Sequence, residues 1–218
     1  MHLWYVGYGS NLKRARLMTY LMGGSEGDSA HHHPGARDSM SPSGEKVVQI
    51  DGRLWFGGES QKWDGGVAHL DVDGTGNVIG RAWRIGLEQL ADLVAQEMGL
   101  MPGSVELGSD VLGSGEIIAK GSRQARLISL APIEEEPAVT FTFVDRRQQR
   151  PPSPGYLATM VVGLRECGLA DDQLAAYLSD QPTITEDLVA AAVGLAGAPS
   201  AATRGEDPKS ITLRNLQG

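Results

Sequence analysis

The stretch Val6-Gly7-Tyr8-Gly9-Ser10-Asn11-Leu12 concentrates the residue types that hold an anion on backbone donors. Gly7 and Gly9 flank Tyr8, so the chain can turn sharply there, and Gly9 admits a ligand closer to the backbone than a larger residue would. Successive N–H groups at a glycine turn leading into a helix N-terminus form an anion site that the helix dipole favours. Ser10 and Asn11 either hydrogen-bond a ligand or cap the helix, and the two roles can coexist. Tyr8 is either a core residue with a locally satisfied hydroxyl or part of a cavity wall.

Other residues carry weaker signals. Glu88, Asp92 and Glu97 share one amphipathic stretch, and on spacing alone all three read as solvated helix surface or helix end. Gly65 and Gly66 let a loop pass close to a ligand, or serve an ordinary hairpin bulge. Tyr156 follows a Pro152-Ser153-Pro154 turn and either packs on a sheet or reaches a site. His31-His32-His33 lie among Gly, Ser and Pro, with no further ligands at metal-site spacing, so a solvated loop is expected there and no metal centre. Cys167 has no base beside it in sequence and reads as packing.

The elements that must position these residues follow from pattern. Leu3 to Tyr8 is a short aromatic, β-branched strand. A helix is expected from the Ser10-Asn11 cap through Leu12, Ala15, Leu17 and Met18. Residues Gly23 to Ser43 form a loop. Val47 to Ile50 and Arg53 to Phe56 read as hairpin partners about Asp51-Gly52. Val67 to Val72 and Val78 to Ile85 read as partners about Asp73-Gly74 and Gly76-Asn77. Leu87, Leu90, Ala91, Val94 and Met98 predict an amphipathic helix over Leu87 to Met98. Further strands are expected at Glu116 to Ile118, Ala125 to Ala131 and Val139 to Val144. After a link over Arg146 to Pro154, helices are expected at Tyr156 to Arg165 and Asp171 to Leu178. Thr183-Ile184-Thr185-Glu186 has the form of a capping box for a helix from Ile184 to about Leu195. Gly197 to Gly218 reads as a polar tail adding little stability. Many short strands with helices at the two ends imply an α+β fold with a small closed or nearly closed sheet.

Composition narrows the function classes. A chain of 218 residues suits one sizeable core. With 19 basic and 27 acidic side chains the net charge is −8, which opposes nonspecific attraction to nucleic acid or anionic lipid. No apolar run approaches the roughly 20 residues of a membrane span. A single cysteine permits no internal disulfide, and a cytoplasmic protein is the simplest expectation.

Four segments, in order, resemble the γ-glutamylcyclotransferase family. Val6 to Leu12 is similar to its opening Y-G-S-N-L motif. Phe56-Gly57-Gly58-Glu59-Ser60 with Trp63-Asp64-Gly65-Gly66-Val67-Ala68 resembles its F-x-G-x-S segment followed by Trp and Gly-Gly. The Gly80 to Ile85 strand with Gln96-Glu97-Met98-Gly99 matches the place of its catalytic glutamate. Pro152-Ser153-Pro154-Gly155-Tyr156-Leu157, then Gly163-Leu164-Arg165-Glu166-Cys167-Gly168-Leu169, resembles its P-S-x-x-Y element and following helix. The resemblance covers residues 3–180 and leaves out 23–46. It implies a small mixed β-barrel with flanking helices over residues 1–180, and a C-terminal helix and polar tail over 181–218.

The resemblance also implies a reaction. The free α-amine of a γ-glutamyl group attacks its own γ-carbonyl, giving 5-oxoproline and the released amine or amino acid. No cofactor or metal is implied, because the nucleophile belongs to the substrate. The protein must supply a proton shuttle and donors for the α-carboxylate and developing oxyanion. The implied shuttle is Glu97, whose neighbours Val94 and Met98 are apolar. The implied substrate-binding residues are Tyr8, Gly9, Ser10, Asn11, Leu12 and Tyr156. Glu97 is then expected to face the turn across a gap wide enough for a glutamyl group. Two alternatives stand beside this: the same fold acting on a γ-glutamyl amine in a specialised pathway, and a non-catalytic small-molecule binding protein that keeps the cavity.

Overall fold

The computed structural model describes residues 1–25, 32–60, 62–108, 117–120, 123–144, 148–198 and 211–213. Its strands are β1 (His2–Gly7), β2 (Gly44–Asp51), β3 (Arg53–Ser60), β4 (Gly65–Asp71), β5 (Asn77–Gly86), β6 (Ile117–Lys120), β7 (Arg123–Ile133), β8 (Glu136–Phe143) and β9 (Ile211–Leu213). The helices are α1 (Arg14–Met22), α2 (Leu87–Glu97), α3 (Pro154–Glu166), α4 (Asp171–Ser179) and α5 (Glu186–Ala196), with a single 3₁₀ turn over Ser10–Leu12. Among the described residues no helix is long and apolar enough to cross a membrane.

β1 occupies the middle of a seven-stranded mixed sheet ordered β6-β7-β8-β1-β5-β2-β9. It runs antiparallel to β5 and parallel to β8. Both faces of β1 are covered, as its apolar sequence requires. Leu3 and Tyr5 join the core under α1 and α2, whereas Trp4 and Val6 join the core under α3, α4 and α5. The sheet curls until β9, at one edge, comes against β7 near the other. The α+β, nearly closed sheet expected from sequence is the architecture observed.

The pairing of the central strands differs from expectation. β2 pairs with β5, from Gly44↔Arg84 to Asp51↔Asn77, and β3 pairs with β4, from Arg53↔Asp71 to Ser60↔Gly65. The four strands are thus one long hairpin whose outer half leaves the sheet as a two-stranded ribbon. Asp51-Gly52 and Asp73 to Asn77 are the two sides of a bend, not turns between partners. Gly52 (φ 145°) and Gly76 (φ 140°) supply the conformations it needs, and Gly52 N–H donates to Gly76 O at 3.1 Å. The true turn is the tip, where Trp63 and Asp64 N–H groups donate to Ser60 O at 3.2 and 2.7 Å.

Three further expectations are corrected. Ser10 and Asn11 do not cap α1, because Lys13 is extended and separates the 3₁₀ turn from the helix. The N-cap of α5 is Thr185, whose hydroxyl accepts from Leu188 N–H at 3.2 Å; Thr183 sits at φ 70° and cannot cap. The tail is not wholly detached: β9 pairs parallel with β2, and Leu213 is buried in the core that also holds Val189 and Ala192 of α5. Glu116 and Arg146, at the starts of an expected strand and link, lie outside the described residues, as does most of the stretch after residue 198.

Candidate active site

β1 ends at Gly7 and the chain doubles back through the 3₁₀ turn. A Cβ at Gly7 would lie 2.9 Å from Asn11 Cβ, so the fold back is possible only without a side chain there. Leu12 anchors the turn from below. It is fully buried, and α3 approaches it so closely that a Cβ on Gly163 would fall 2.5 Å from Leu12 Cβ. Leu12 therefore belongs to the core and does not line the cavity, which corrects its expected place among the ligand-facing residues. The carbonyls of Asn11 and Leu12 accept from Trp83 Nε1 (3.1 Å) and Arg81 Nη1 (3.0 Å), fixing the turn to β5.

Above this turn lies a cavity of about 480 Å³. Tyr8, Gly9, Ser10, Asn11, Glu97 and Tyr156 all line it, so segments far apart in sequence converge. Glu97, half-buried at the end of α2, takes a hydrogen bond from Asn11 Nδ2 at 3.4 Å. The expected open gap is thus bridged on one side by the Asn11 amide. The same Nδ2 donates to the Tyr5 hydroxyl at 2.9 Å. The roof is the hairpin tip, with Glu59, Ser60, Lys62 and Trp63.

Tyr156 is held at the head of α3 by its own helix start. Ser153 caps the helix through a hydrogen bond from Tyr156 N–H (3.2 Å), and Pro154 fits the first turn. The Tyr156 hydroxyl accepts from Ala68 N–H at 3.1 Å and from the Ser10 N–H, tying ribbon, turn and helix together. Gly9 is required here, since an added Cβ would lie 2.9 Å from that hydroxyl. Gly65 and Gly66 make room for backbone too, but for Arg150 to Ser153 and not for a ligand: Cβ atoms there would meet Ser153 N at 2.5 Å and Arg150 O at 2.1 Å. Gly66 N–H donates to Pro151 O and Arg150 N–H to Phe56 O, so this segment straps the ribbon down.

The cavity is ringed by phenols that stay protonated. Burial pushes Tyr156 up to about 12, and burial likewise raises Tyr5, Tyr8 and Tyr20, with the Glu97 charge adding to each. Tyr8 both lines the cavity and donates its hydroxyl to Phe141 O at 2.9 Å, combining its two expected roles. The cavity thus offers neutral hydroxyls around Glu97, with Glu59 in the roof.

Asp92 was expected on the solvated face and is instead fully buried. Burial would raise its carboxyl, but hydrogen bonds from Arg37 Nε, Arg37 N–H and Gly103 N–H outweigh this and hold it below the usual carboxylate value. It fastens α2 to its flanking loops. Glu88 is exposed and pairs with Arg37 at 2.9 Å. Cys167 is buried, and burial pushes its thiol up to about 12, which suits packing. His31 lies outside the described residues; His33 lines the cavity, with its ring 4.3 Å from that of Tyr20.

Sequence reasoning missed Arg16, Tyr20 and Gln96, which also line the cavity. Arg16 and Tyr20 stand four apart on α1, on the face that Leu17 and Leu21 share, and a charge on a buried face is the signal that marked them.

No protein-family model matches the sequence. The chain is similar to Histone deacetylase 5 of Arabidopsis thaliana, 28% identical over 200 residues that take in 81% of this chain but 30% of that protein. It spans less than a third of the relative's length. In three dimensions it superposes on a gamma-glutamyl cyclotransferase with a TM-score of 0.52, at 18% identity, over 93% of this chain and 96% of that one. An uncharacterized protein from Homo sapiens superposes with a TM-score of 0.50, at 18% identity, over 93% and 95%. The chain has the gamma-glutamyl cyclotransferase fold.

Proposed function

We propose that this protein releases 5-oxoproline from a γ-glutamyl amino acid or amine, with Glu97 as the proton shuttle. The observation that carries this reading is the meeting of Glu97 with the Tyr8-Gly9-Ser10-Asn11 turn in one cavity, 3.4 Å apart at their nearest hydrogen-bonded atoms. Glu97 takes a proton from the substrate's α-ammonium. The freed amine attacks the γ-carbonyl carbon, a C–N bond forms, and negative charge develops on the carbonyl oxygen beside the turn. Glu97 then returns its proton to the departing nitrogen as the original amide bond breaks. The extra proton on the new ring nitrogen passes through the same carboxylate, so the amine leaves as an ammonium and the lactam nitrogen keeps one hydrogen. Atoms and charge balance without an oxidant or a second substrate. The role of the fold is to hold amine and carbonyl together out of bulk water and to aim fixed dipoles at the oxyanion.

Asn11 holds the Glu97 carboxylate in place from the turn side, and Tyr156 fixes the turn through Ser10. The test is incubation with a panel of γ-glutamyl amino acids and γ-glutamyl amines, reading 5-oxoproline by mass spectrometry. Release from at least one compound, lost in Glu97→Gln while binding is kept, supports the reading. A Glu97→Gln protein that turns over at the parent rate ends it. So does binding without turnover across the whole panel, which is the behaviour of a non-catalytic binding protein.

A further inference from the structure

On the α1 and α2 side of the cavity, three side chains carry buried polar atoms with no protein partner: Arg16 Nε, Asn11 Oδ1 and Gln96 Oε1. Each residue is more than nine-tenths buried. Such atoms in one wall mark a place where a ligand completes the hydrogen bonding. The amide orientations follow from chemistry. Gln96 Nε2 donates to the carbonyls of Tyr20 (2.9 Å) and Asp92 (3.3 Å), and Asn11 Nδ2 donates to Glu97, so the oxygens are the atoms left over.

Arg16 is the more telling of the three. It forms no ion pair with a carboxylate among the described residues, although a guanidinium taken out of water calls for a counter-charge. It is held instead by Tyr20, His33 and Thr19, with its guanidinium 4.5 Å from the centre of the Tyr20 ring. The Tyr20 hydroxyl accepts from Arg16 Nη2 and is itself hydrogen-bonded to Glu97. A buried cation and the cavity carboxylate thus stand on either side of one hydroxyl.

That pair of charges is complementary to an α-amino acid head, which carries an ammonium and a carboxylate on a single carbon. We propose that Arg16 is the subsite for the α-carboxylate of the γ-glutamyl group, while Asn11 Oδ1 and Gln96 Oε1 accept from the α-ammonium as it reaches Glu97. The inference takes its ligand from the cyclisation reading above, since the amine must lie at Glu97 and the α-carboxylate is bonded to the same carbon. It goes further by naming what the site selects: a γ-glutamyl compound with a free α-carboxylate. Selection acts on the glutamyl head and not on the leaving group, so amino acid and amine leaving groups are both admitted.

The test uses the full chain and two probes, 5-oxoproline and 2-pyrrolidinone, which share the lactam ring and differ by the carboxylate. Calorimetric titration of the parent protein is expected to show tighter binding of 5-oxoproline. Arg16→Gln is expected to weaken 5-oxoproline by about 10- to 100-fold, the usual size of a lost charge-assisted bidentate contact, and to leave 2-pyrrolidinone within about twofold. Arg16→Lys, which keeps the charge without the planar fork, is expected to fall between. Equal affinity of the parent protein for the two probes overturns the proposal without any variant, and so covers the case in which Arg16→Gln does not fold. An Arg16→Gln protein that keeps its preference for 5-oxoproline overturns it as well. The enzymatic reading is scored separately by 5-oxoproline release. Arg16-dependent binding with no release keeps this subsite and removes the cyclisation reading, and release with an Arg16-independent preference does the reverse.

Discussion

Two buried arginines lie on either side of the glycine turn and have opposite surroundings. Arg81 gives Nη1 to the Leu12 carbonyl and to Glu166, gives Nη2 to both oxygens of Glu45 at 3.2 Å, and stacks over Trp83 at 4.3 Å. Arg14 adds a second cation to the same cluster through Glu45. Arg16 is buried as deeply and meets Thr19, Tyr20 and His33, with no carboxylate among these hydrogen-bond partners. The same contrast runs along α2, where Asp92 has its hydrogen bonds filled by Arg37 and Gly103 while Glu97 faces a cavity. A polar cluster that completes itself is an adhesive between elements; one left incomplete is a receptor. Burial alone does not separate the two.

The contrast can be broken experimentally. The largest effect belongs to the incomplete side: Glu97→Gln is expected to lower turnover by about 10²–10⁴-fold, read as 5-oxoproline release, with the melting temperature unchanged. A large fall in melting temperature instead would move Glu97 into the structural class. Next comes Arg81→Met, expected to cost about 2–3 kcal/mol in urea unfolding because it strips the Leu12 carbonyl and two carboxylates of their donor. The folded fraction should keep its affinity for 5-oxoproline; losing it would show that the two clusters are not separable.

Smaller is Gly9→Ala, which pushes a methyl group toward the Tyr156 hydroxyl and is expected to lower activity on the order of tenfold by displacing the turn. Adding Tyr156→Phe should recover part of that loss, and no recovery would place the damage in the turn's own backbone. The smallest effect concerns Asp92. Its carboxyl lies below the ordinary 3.8 in the folded state, so its contribution to stability is fully present above that value and is lost as pH falls through the folded value. Asp92→Asn is expected to lower stability at pH 7 by about 1 kcal/mol and to flatten the acid limb of a stability–pH curve. An acid limb identical to the parent's would assign the effect to other carboxylates.

What was legible from sequence was local. Strand and helix positions and the glycine turn follow from spacing over a few residues. Partnership was not legible: Asp51-Gly52 has the composition of a tight turn, yet it forms one side of a bend, since β2 pairs with β5 and β3 with β4. The cap of α5 was misplaced by two residues because Thr183 and Thr185 carry the same hydroxyl, and only backbone conformation separates them. Arg16 was marked only by its place on the helix face that Leu17 and Leu21 share, and Gln96 is of a residue type that ordinarily faces solvent. The contribution of Leu213 was hidden in a polar stretch whose pairing with β2 is long-range.

The bent hairpin also imposes an order of assembly on the molecule. All its pairings, from Ser60↔Gly65 outward to Gly44↔Arg84, zip from a single tip, so each one closes only a small further loop. β1, by contrast, must find β8 through Trp4↔Ala138 and Tyr5↔Val139, across most of the chain. Contacts of such separation are the slow ones in folding. The roof of the cavity and the two sheet strands joined to it are therefore expected to form early, and the wall built from Tyr5 and Phe141 to close late. A nascent chain halted before residue 138 holds the hairpin but lacks Phe141, Phe143 and Tyr156, so the cavity is complete only after the chain has passed residue 156.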